Sequence, residues 1–233
     1  MISAFERRLN LMVGFPTTGD WKGKFGISLC NMVTYLMSEK VPGFREQRVR
    51  PQQVRGSILP RGRMNVVKSA IADKCTHILF VDTDQTFPRD TAHRLLTSGK
   101  SVIGCNIATK QIPASTTARQ KSEDFWGEPV FTDPDSPQYE KVWRLGCGIM
   151  LLDIKVFEKI GLGCFGIPWI EKIQDYQGED WPMCEALEAA GISIWVDHKL
   201  SDEIKHIGDY EYGHDVVGSK ELVPVFDKII GEA

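Results

Sequence analysis

Two acidic residues one position apart close an apolar run in ILFVDTDQTFP, residues 78–88: Asp82 and Asp84. Neighbouring carboxylates repel each other and lose hydration unless a positive group sits between them and solvent. Hard oxygen donors with an incomplete protein shell suit Mn²⁺ or Mg²⁺, ions that keep coordination positions open for substrate phosphates. The pair therefore points to a substrate that carries a nucleotide. D-x-D alone is weak evidence, because DPD at Asp133 to Asp135 repeats it inside TDPDSP. There Asp and Pro start turns, and a solvated turn is the reading. Asp82 and Asp84 differ because a strand precedes them and Pro88 opens a helical pattern after them. That places them at the carboxyl edge of a sheet, where open α/β folds bind ligands. The alternative for this pair is a helix N-cap and a turn.

Other side chains could serve the same chemistry. Arginines at 45, 48, 50, 55, 61 and 63 could neutralise a diphosphate, although a solvated surface accounts for most of them. Arg61, Arg63 and Asn65, at the start of the helix before the acidic strand, are the exceptions singled out. A second acidic pair, Glu179 and Asp180 in GED, opens a helix. The helix dipole favours carboxylates there, so capping is one reading; taking a proton from an attacking hydroxyl is the other. His206, in IKHIGDY after the last strand, could reach back to the sheet edge as a ligand. GLGCFG, 161–166, follows a helix instead of a strand and reads as a C-cap and loop, not a dinucleotide fingerprint. Neither a Walker A motif nor G-x-S-x-G occurs.

These residues need a frame. LNLMVGFP reads as a strand over Leu9–Phe15 that stops at Pro16. Phe25, Leu29, Met32, Val33, Leu36 and Met37 recur at helical spacing, and VPGF ends that helix. QRVRPQQVRGSIL reads as extended chain. RGRMNVVKSAIADK is helical with Met64, Val67, Ala70 and Ile71 on one face, and HILFVD is the next strand. Pro88 predicts the first turn of a helix that ends near Gly99, and SVIGCN is a strand. Residues 107–141, with four prolines, read as a long loop or short strands bordering the active site. VWRLGCGIMLLD reads as one strand, IKVFEKI and GEDWPMCEALEAAG as helices, ISIWVD as the last strand and ELVPVFDKIIG as a helical tail. The order predicts one α/β domain over 1–233 with a mainly parallel sheet covered by helices.

Bulk properties set outer bounds. The 233 residues are 42% hydrophobic, enough for a substantial core, and the formal charge of −3 gives no general attraction to nucleic acid or an anionic membrane. No apolar run approaches a membrane span, and MISAFERRLN lacks a signal peptide's apolar segment, so the expectation is a soluble, cytoplasmic protein. The six cysteines form no CxxC pair and read as reduced core thiols.

In order and spacing, the strand ending in FPTTG, RGRMNVVKSA before ILFVDTD, GCGIMLLD, GED about a hundred residues after D-x-D, and a histidine after the last strand resemble a GT-A fold glycosyltransferase. The resemblance spans about Leu9 to Gly208 and implies a single Rossmann-like domain using a nucleotide-sugar donor, a UDP- or GDP-sugar. It implies that Phe15, Pro16 and Thr17 border the base, that Asp82 meets the ribose or the metal, and that Asp84 and His206 hold Mn²⁺ or Mg²⁺. It implies that Gly146 and Gly148 let the backbone approach the sugar, that Asp180 is the base of an inverting displacement and that Glu179 helps to bind the acceptor. Small stand-alone enzymes of this kind resemble those of bacteria and phages, which would put a phage-encoded chain in the host cytoplasm. The implied acceptor carries a free hydroxyl on a glycan, a small molecule or a modified nucleic-acid base. A retaining glycosyltransferase, a nucleotidyltransferase of similar fold and a non-catalytic nucleotide- or sugar-binding protein are the competing readings. FPTTGDWKG is a poor version of the Gly-rich phosphate loop that a nucleotidyltransferase normally carries.

Overall fold

A computed structural model describes residues 8–111, 113–208, 211–214 and 217. In chain order the elements are β1 (Arg8–Thr17), α1 (Gly23–Ser38), β2 (Glu46–Arg55), α2 (Leu59–Ala72), β3 (His77–Val81), β4 (Gln85–Thr86), α3 (Thr91–Thr97) and β5 (Val102–Gly104). Three short strands follow: β6 (Arg119–Gln120), β7 (Glu128–Pro129) and β8 (Tyr139–Val142). The rest is β9 (Ile149–Asp153), α4 (Val156–Ile160), β10 (Trp169–Ile170), β11 (Asp175–Tyr176), α5 (Trp181–Ala189), β12 (Ile194–Asp197), α6 (His198–Ser201), β13 (Lys205–Ile207) and β14 (Glu211–Tyr212). The predicted tail helix ELVPVFDKIIG lies outside the described residues. Among the described residues no helix is long and apolar enough to cross a membrane.

Seven strands form the central sheet in the order β2-β1-β3-β9-β5-β12-β8. β1 is parallel to both β2 and β3, and β12 is parallel to β5. β9 runs antiparallel to β3 and β5, and β8 antiparallel to β12. Five strands thus share one direction, and the mainly parallel, helix-covered α/β class holds. One apolar core lies under α2, α4 and α5, with Met12, Val66, Ile78, Phe80 and Met183, and the other under α1 and α3, with Leu11, Phe25, Met32, Leu79 and Leu95. A strand covered on both faces must be apolar throughout, as Ile78-Leu79-Phe80-Val81 is.

Several local readings are corrected. β1 does not stop at Pro16 but pairs with β2 through Thr17. Its pairing with β3 ends at Gly14, so proline's missing N–H costs no ladder bond on that side. VWRLGCGIMLLD is not one strand: β8 ends at Val142, and 143–148 is a connection into the reversed β9. Pro88 is not the first helical residue; α3 starts at Thr91, whose N–H and Oγ1 both donate to the Pro88 carbonyl. On α2 the buried face carries Arg63, Val66, Val67 and Ala70, while Ile71 is 45% exposed. Five cysteines are buried and free as expected, but Cys30 is exposed on α1. TDPDSP is a turn, in which Asp133 Oδ1 accepts from the Asp135 amide and Ser136 Oγ. Gly161, opening GLGCFG, is the positive-φ C-cap of α4.

Helix α2 sits close on β1 because Gly14 has no side chain: a Cβ there would collide with both Val66 methyls. Overpacking of this kind costs about 1–3 kcal/mol. Gly14→Ala is therefore expected to lower unfolding free energy by that amount in urea titration, and an unchanged midpoint would show that α2 can back away from the sheet.

Candidate functional site

The carboxyl edge of β3 turns sharply after Val81. The Asp82 amide donates to the Gly148 carbonyl and the Gln85 amide to the Asp82 carbonyl, at 2.8 and 3.3 Å. β4 then pairs antiparallel with β13, and β13 with β14, in a small second sheet. This pairing puts His206 opposite Gln85, and the Ile207 amide donates to the Asp84 carbonyl at 2.7 Å. The loop after β1 closes the other side, where the Lys22 amide donates to the Thr83 carbonyl.

Arg63 is the centre of the site. Its guanidinium, 1% exposed, donates from Nη2 to Asp82 Oδ1 at 3.1 Å, from Nε to Glu179 Oε1 at 3.1 Å, and from Nη1 to the Cys147 carbonyl at 3.5 Å. It also lies over the Phe80 ring at 5.5 Å. Burial weakens a guanidinium's hold on its proton, but Asp82, Cys147, Glu179 and Asp180 together outweigh that and raise Arg63 above its ordinary value. The two acidic motifs, far apart in sequence, thus meet on one cation.

One guanidinium cannot neutralise three carboxylates. Burial, then the charge of Glu179, raises Asp180 to about 7, although Arg63 and the Cys147 amide pull the other way. Asp180 occupies the N-cap position of α5 but makes no side-chain cap bond. Its Oδ2 instead accepts from the Cys147 amide at 3.1 Å. The capping reading of Asp180 therefore fails. Burial also raises Asp82, against the pull of Arg63.

Asp84 has the opposite environment. Partial burial would raise it, but hydrogen bonds from His206 and Lys110 prevail and hold it at about 2. Lys110 Nζ forms an ion pair with Asp84 Oδ2, and His206 Nε2 lies 3.5 Å from the same oxygen. His206 Nδ1 is 2.9 Å from the Ala108 carbonyl, a contact that fixes Nδ1 as a donor and turns Nε2 toward Asp84, where it can carry a proton or bind a metal. Asp84 Oδ1 is buried without a hydrogen-bond partner. An orphaned carboxylate oxygen beside an oriented imidazole fits a hard divalent cation that takes its remaining ligands from phosphate and water. Among the described residues no group of three or more His, Cys, Asp and Glu could hold a metal, so these two would be its protein ligands. Asp82, the other metal candidate, turns its carboxylate to Arg63 instead.

The glycines make room for these groups. A Cβ on Gly148 would lie 2.7 Å from Ile107 Cδ1 and 3.5 Å from Asp82 Oδ2; on Gly146 it would lie 3.1 Å from Thr117 Cβ and 3.4 Å from Asp180 Oδ2. Phe15 and Pro16 are buried at the end of β1, and Phe15 packs on Trp21 and Phe25 at centroid distances of 5.5 and 5.6 Å. Thr17 Oγ1 donates to the Asp20 carbonyl at 2.6 Å and fixes that turn. Arg61 is exposed and Asn65 half-buried; four residues apart on α2, they share a face that does not include Arg63. Trp21 escaped the reading of the sequence, which considered Lys110 only as a groove residue for a DNA acceptor; the pairing of Lys110 with Asp84 was missed because only tertiary folding brings the two together. A surface hollow of about 260 Å³ between Gln120, Lys141, Trp143, Glu188 and Ser193 includes none of the residues around Arg63.

Two outcomes follow from the electrostatics. Arg63→Met strands Asp82 and Glu179 without their partner, and loss of one member of a buried pair costs about 3–5 kcal/mol; urea unfolding at neutral pH is expected to show it. Asp180, ordinarily 3.8 and here about 7, keeps its proton in the folded chain where the unfolded chain has lost it. Stability therefore falls as pH rises from about 4 to about 7. Unfolding midpoints measured across that range should decline in the wild type and stay flatter in Asp180→Asn; parallel curves would place the titration elsewhere.

No protein-family model matches this chain, and no curated protein does. Among solved structures, the chain is similar to A197 from STIV, with a TM-score of 0.54 and 14% identity over 93% of this chain and 97% of that one. It is also similar to 4-diphosphocytidyl-2C-methyl-D-erythritol synthase, with a TM-score of 0.42 and 12% identity over 82% of this chain and 88% of that one. The likeness to A197 shows a shared fold across nearly the whole of both chains.

Proposed function

We propose that this chain is a metal-dependent glycosyltransferase that moves a sugar from a nucleotide-sugar donor, a UDP- or GDP-sugar, to an acceptor hydroxyl with inversion. One observation carries the reading: Arg63 gathers Asp82, Glu179 and Asp180 at the sheet edge where Asp84 meets His206. A cation-ready carboxylate and a carboxylate that titrates near neutrality would then serve one reaction, as an anionic leaving group and a protonated nucleophile require.

Asp84 and His206 would hold Mn²⁺ or Mg²⁺, which when bound supplies positive charge to the departing diphosphate. Lys110, already paired with Asp84, would offer that diphosphate a further cation. Phe15, Pro16, Thr17 and the 47% exposed Trp21 would border the base, Asp82 the ribose, and the exposed Arg61 with Asn65 the outer phosphate side. Gly146 and Gly148 would leave the donor sugar space against the backbone. As the acceptor oxygen bonds to the anomeric carbon, the bond from that carbon to the phosphate oxygen breaks and the nucleoside diphosphate leaves. The acceptor's proton passes to the Asp180 carboxylate, and Glu179 orients the acceptor.

A panel of nucleotide sugars incubated with Mn²⁺ tests this. Release of UDP or GDP from one donor is the expected result; pyrophosphate release from a nucleoside triphosphate would identify a nucleotidyltransferase, and binding without turnover a non-catalytic protein. Asp84→Ala is expected to abolish metal-dependent donor binding. Asp180→Asn should retain donor binding and lose transfer by about 10²-fold or more, with wild-type kcat/KM rising through a midpoint near pH 7. Near wild-type transfer by Asp180→Asn would remove the base from the scheme.

A further inference from the structure

Beside Asp180 stands an aromatic cluster that the chemistry above does not use. Phe125, Trp126 and Trp181 form a closed triangle with ring centroids 5.3, 5.9 and 5.4 Å apart. Trp181 directly follows Asp180, and a single point above Gly178, where a Cβ would sit, lies 3.3 Å from Asp180 Oδ1 and 3.9 Å from Trp181 Cδ1. The ring edge and the carboxylate therefore both lie against Gly178, which is exposed.

The cluster is built to hold its shape. Arg144, 3% exposed, stacks at 3.7 Å on Trp143 and 4.0 Å on Trp181, donates to the Phe125 carbonyl at 3.0 Å, and pairs with Glu185 at 2.6 Å. The turn that carries Trp126 is fixed by Asp124, whose Oδ1 accepts from the Trp126 amide at 3.1 Å, and by Gly127 at φ +69°. A Cβ on Gly127 would clash with the Gln120 carbonyl and come within 3.0 Å of Trp143. Yet Trp126 remains 41% exposed. A tryptophan held rigidly in water beside a base offers a flat apolar face at little entropic cost on binding.

We propose that Trp126 and Trp181, backed by Phe125, form a stacking platform for the pyranose ring of an uncharged carbohydrate acceptor whose hydroxyl faces Asp180. The C–H face of a sugar ring matches an indole face, and carboxylates such as Glu179 suit its hydroxyl donors. Charge weighs against the other flat acceptor, a nucleobase in a polynucleotide, because phosphodiesters would meet Glu123, Asp124 and Glu128 on the same segment, whose Lys121 is already paired with Glu188. The proposal rests on the reading of Asp180 as the base.

The test applies labelled full-length protein to an array of neutral oligosaccharides and to single-stranded oligonucleotides, then titrates the best-retained oligosaccharide. Trp126→Ala, checked for an unchanged melting temperature, is expected to bind it about tenfold more weakly, the equivalent of one stacked ring, and Trp126→Phe to recover most of that loss. Retention of oligonucleotides instead of oligosaccharides, no retention of any oligosaccharide, or equal affinity of Trp126→Ala each overturns the platform. Nucleotide-sugar turnover by the wild type alongside such a result would leave the transferase reading standing. Trp126-dependent oligosaccharide binding with no turnover of any donor would retain the platform and remove the transferase.

Discussion

A guanidinium taken out of water must be surrounded by anions and hydrogen-bond acceptors, and the site is organised by how Arg63 meets that demand. Its five donors are shared between Asp82 from the end of β3, Glu179 from the start of α5 and the Cys147 carbonyl from the connection into β9. Three segments that the chain order keeps apart are thereby fixed at hydrogen-bonding distance. A lysine could not replace this arrangement, because a single ammonium lacks the planar fork that reaches two carboxylates at once. The charge that assembles the site is thus also a fold-defining contact, and α2 brings it there by burying the face that carries it.

The same arginine divides labour among chemically identical groups. Asp84 has the Lys110 ammonium and the His206 imidazole beside it and stays ionised far below neutrality. Asp180 has burial, the adjacent charge of Glu179 and only a share of Arg63, and titrates near 7. Environments that push two carboxylates apart in this way separate a permanent anion from a group able to accept a proton at neutral pH. Lys110 balances Asp84 as Arg63 balances Asp82, so each member of D-T-D has its own counter-ion and its own surroundings.

Much of the frame was legible because it rests on short-range pattern. The apolar run before Asp82 announced a strand covered on both faces, the periodicity of Phe25 to Leu36 announced α1, and Gly99 and Gly191 marked helix ends with positive φ. The position of D-x-D at the sheet edge followed from that pattern. What failed were features decided by partners distant in sequence. Ile71 fits the helical period of α2 as well as Arg63 does, and only the carboxylates waiting across the core decide that the charged residue is buried and the apolar one exposed. The reversed direction of β9 left no trace, since Ile149 to Leu152 would be equally apolar in either orientation. Lys110 sits in a proline-flanked loop with no periodicity, and its pairing with Asp84 depends on the fold as a whole. The Asx turn that displays Trp126 could be read from Asp124 and Gly127, but its proximity to Asp180 could not.

The reversed strand β9 has a topological effect on where backbone polar groups become available. Strands β3 and β5 leave the sheet at one rim, and because β9 runs against both, the chain enters it at that rim. The Gly146-Cys147-Gly148 peptide units are consequently delivered among the acidic side chains, where the Cys147 amide donates to Asp180 and its carbonyl accepts from Arg63. Had β9 run with its neighbours, the same tripeptide would have emerged on the far side of the sheet. One inverted segment thus turns main chain into both a donor and an acceptor for the charged centre, a function that no side-chain substitution in the tripeptide could supply.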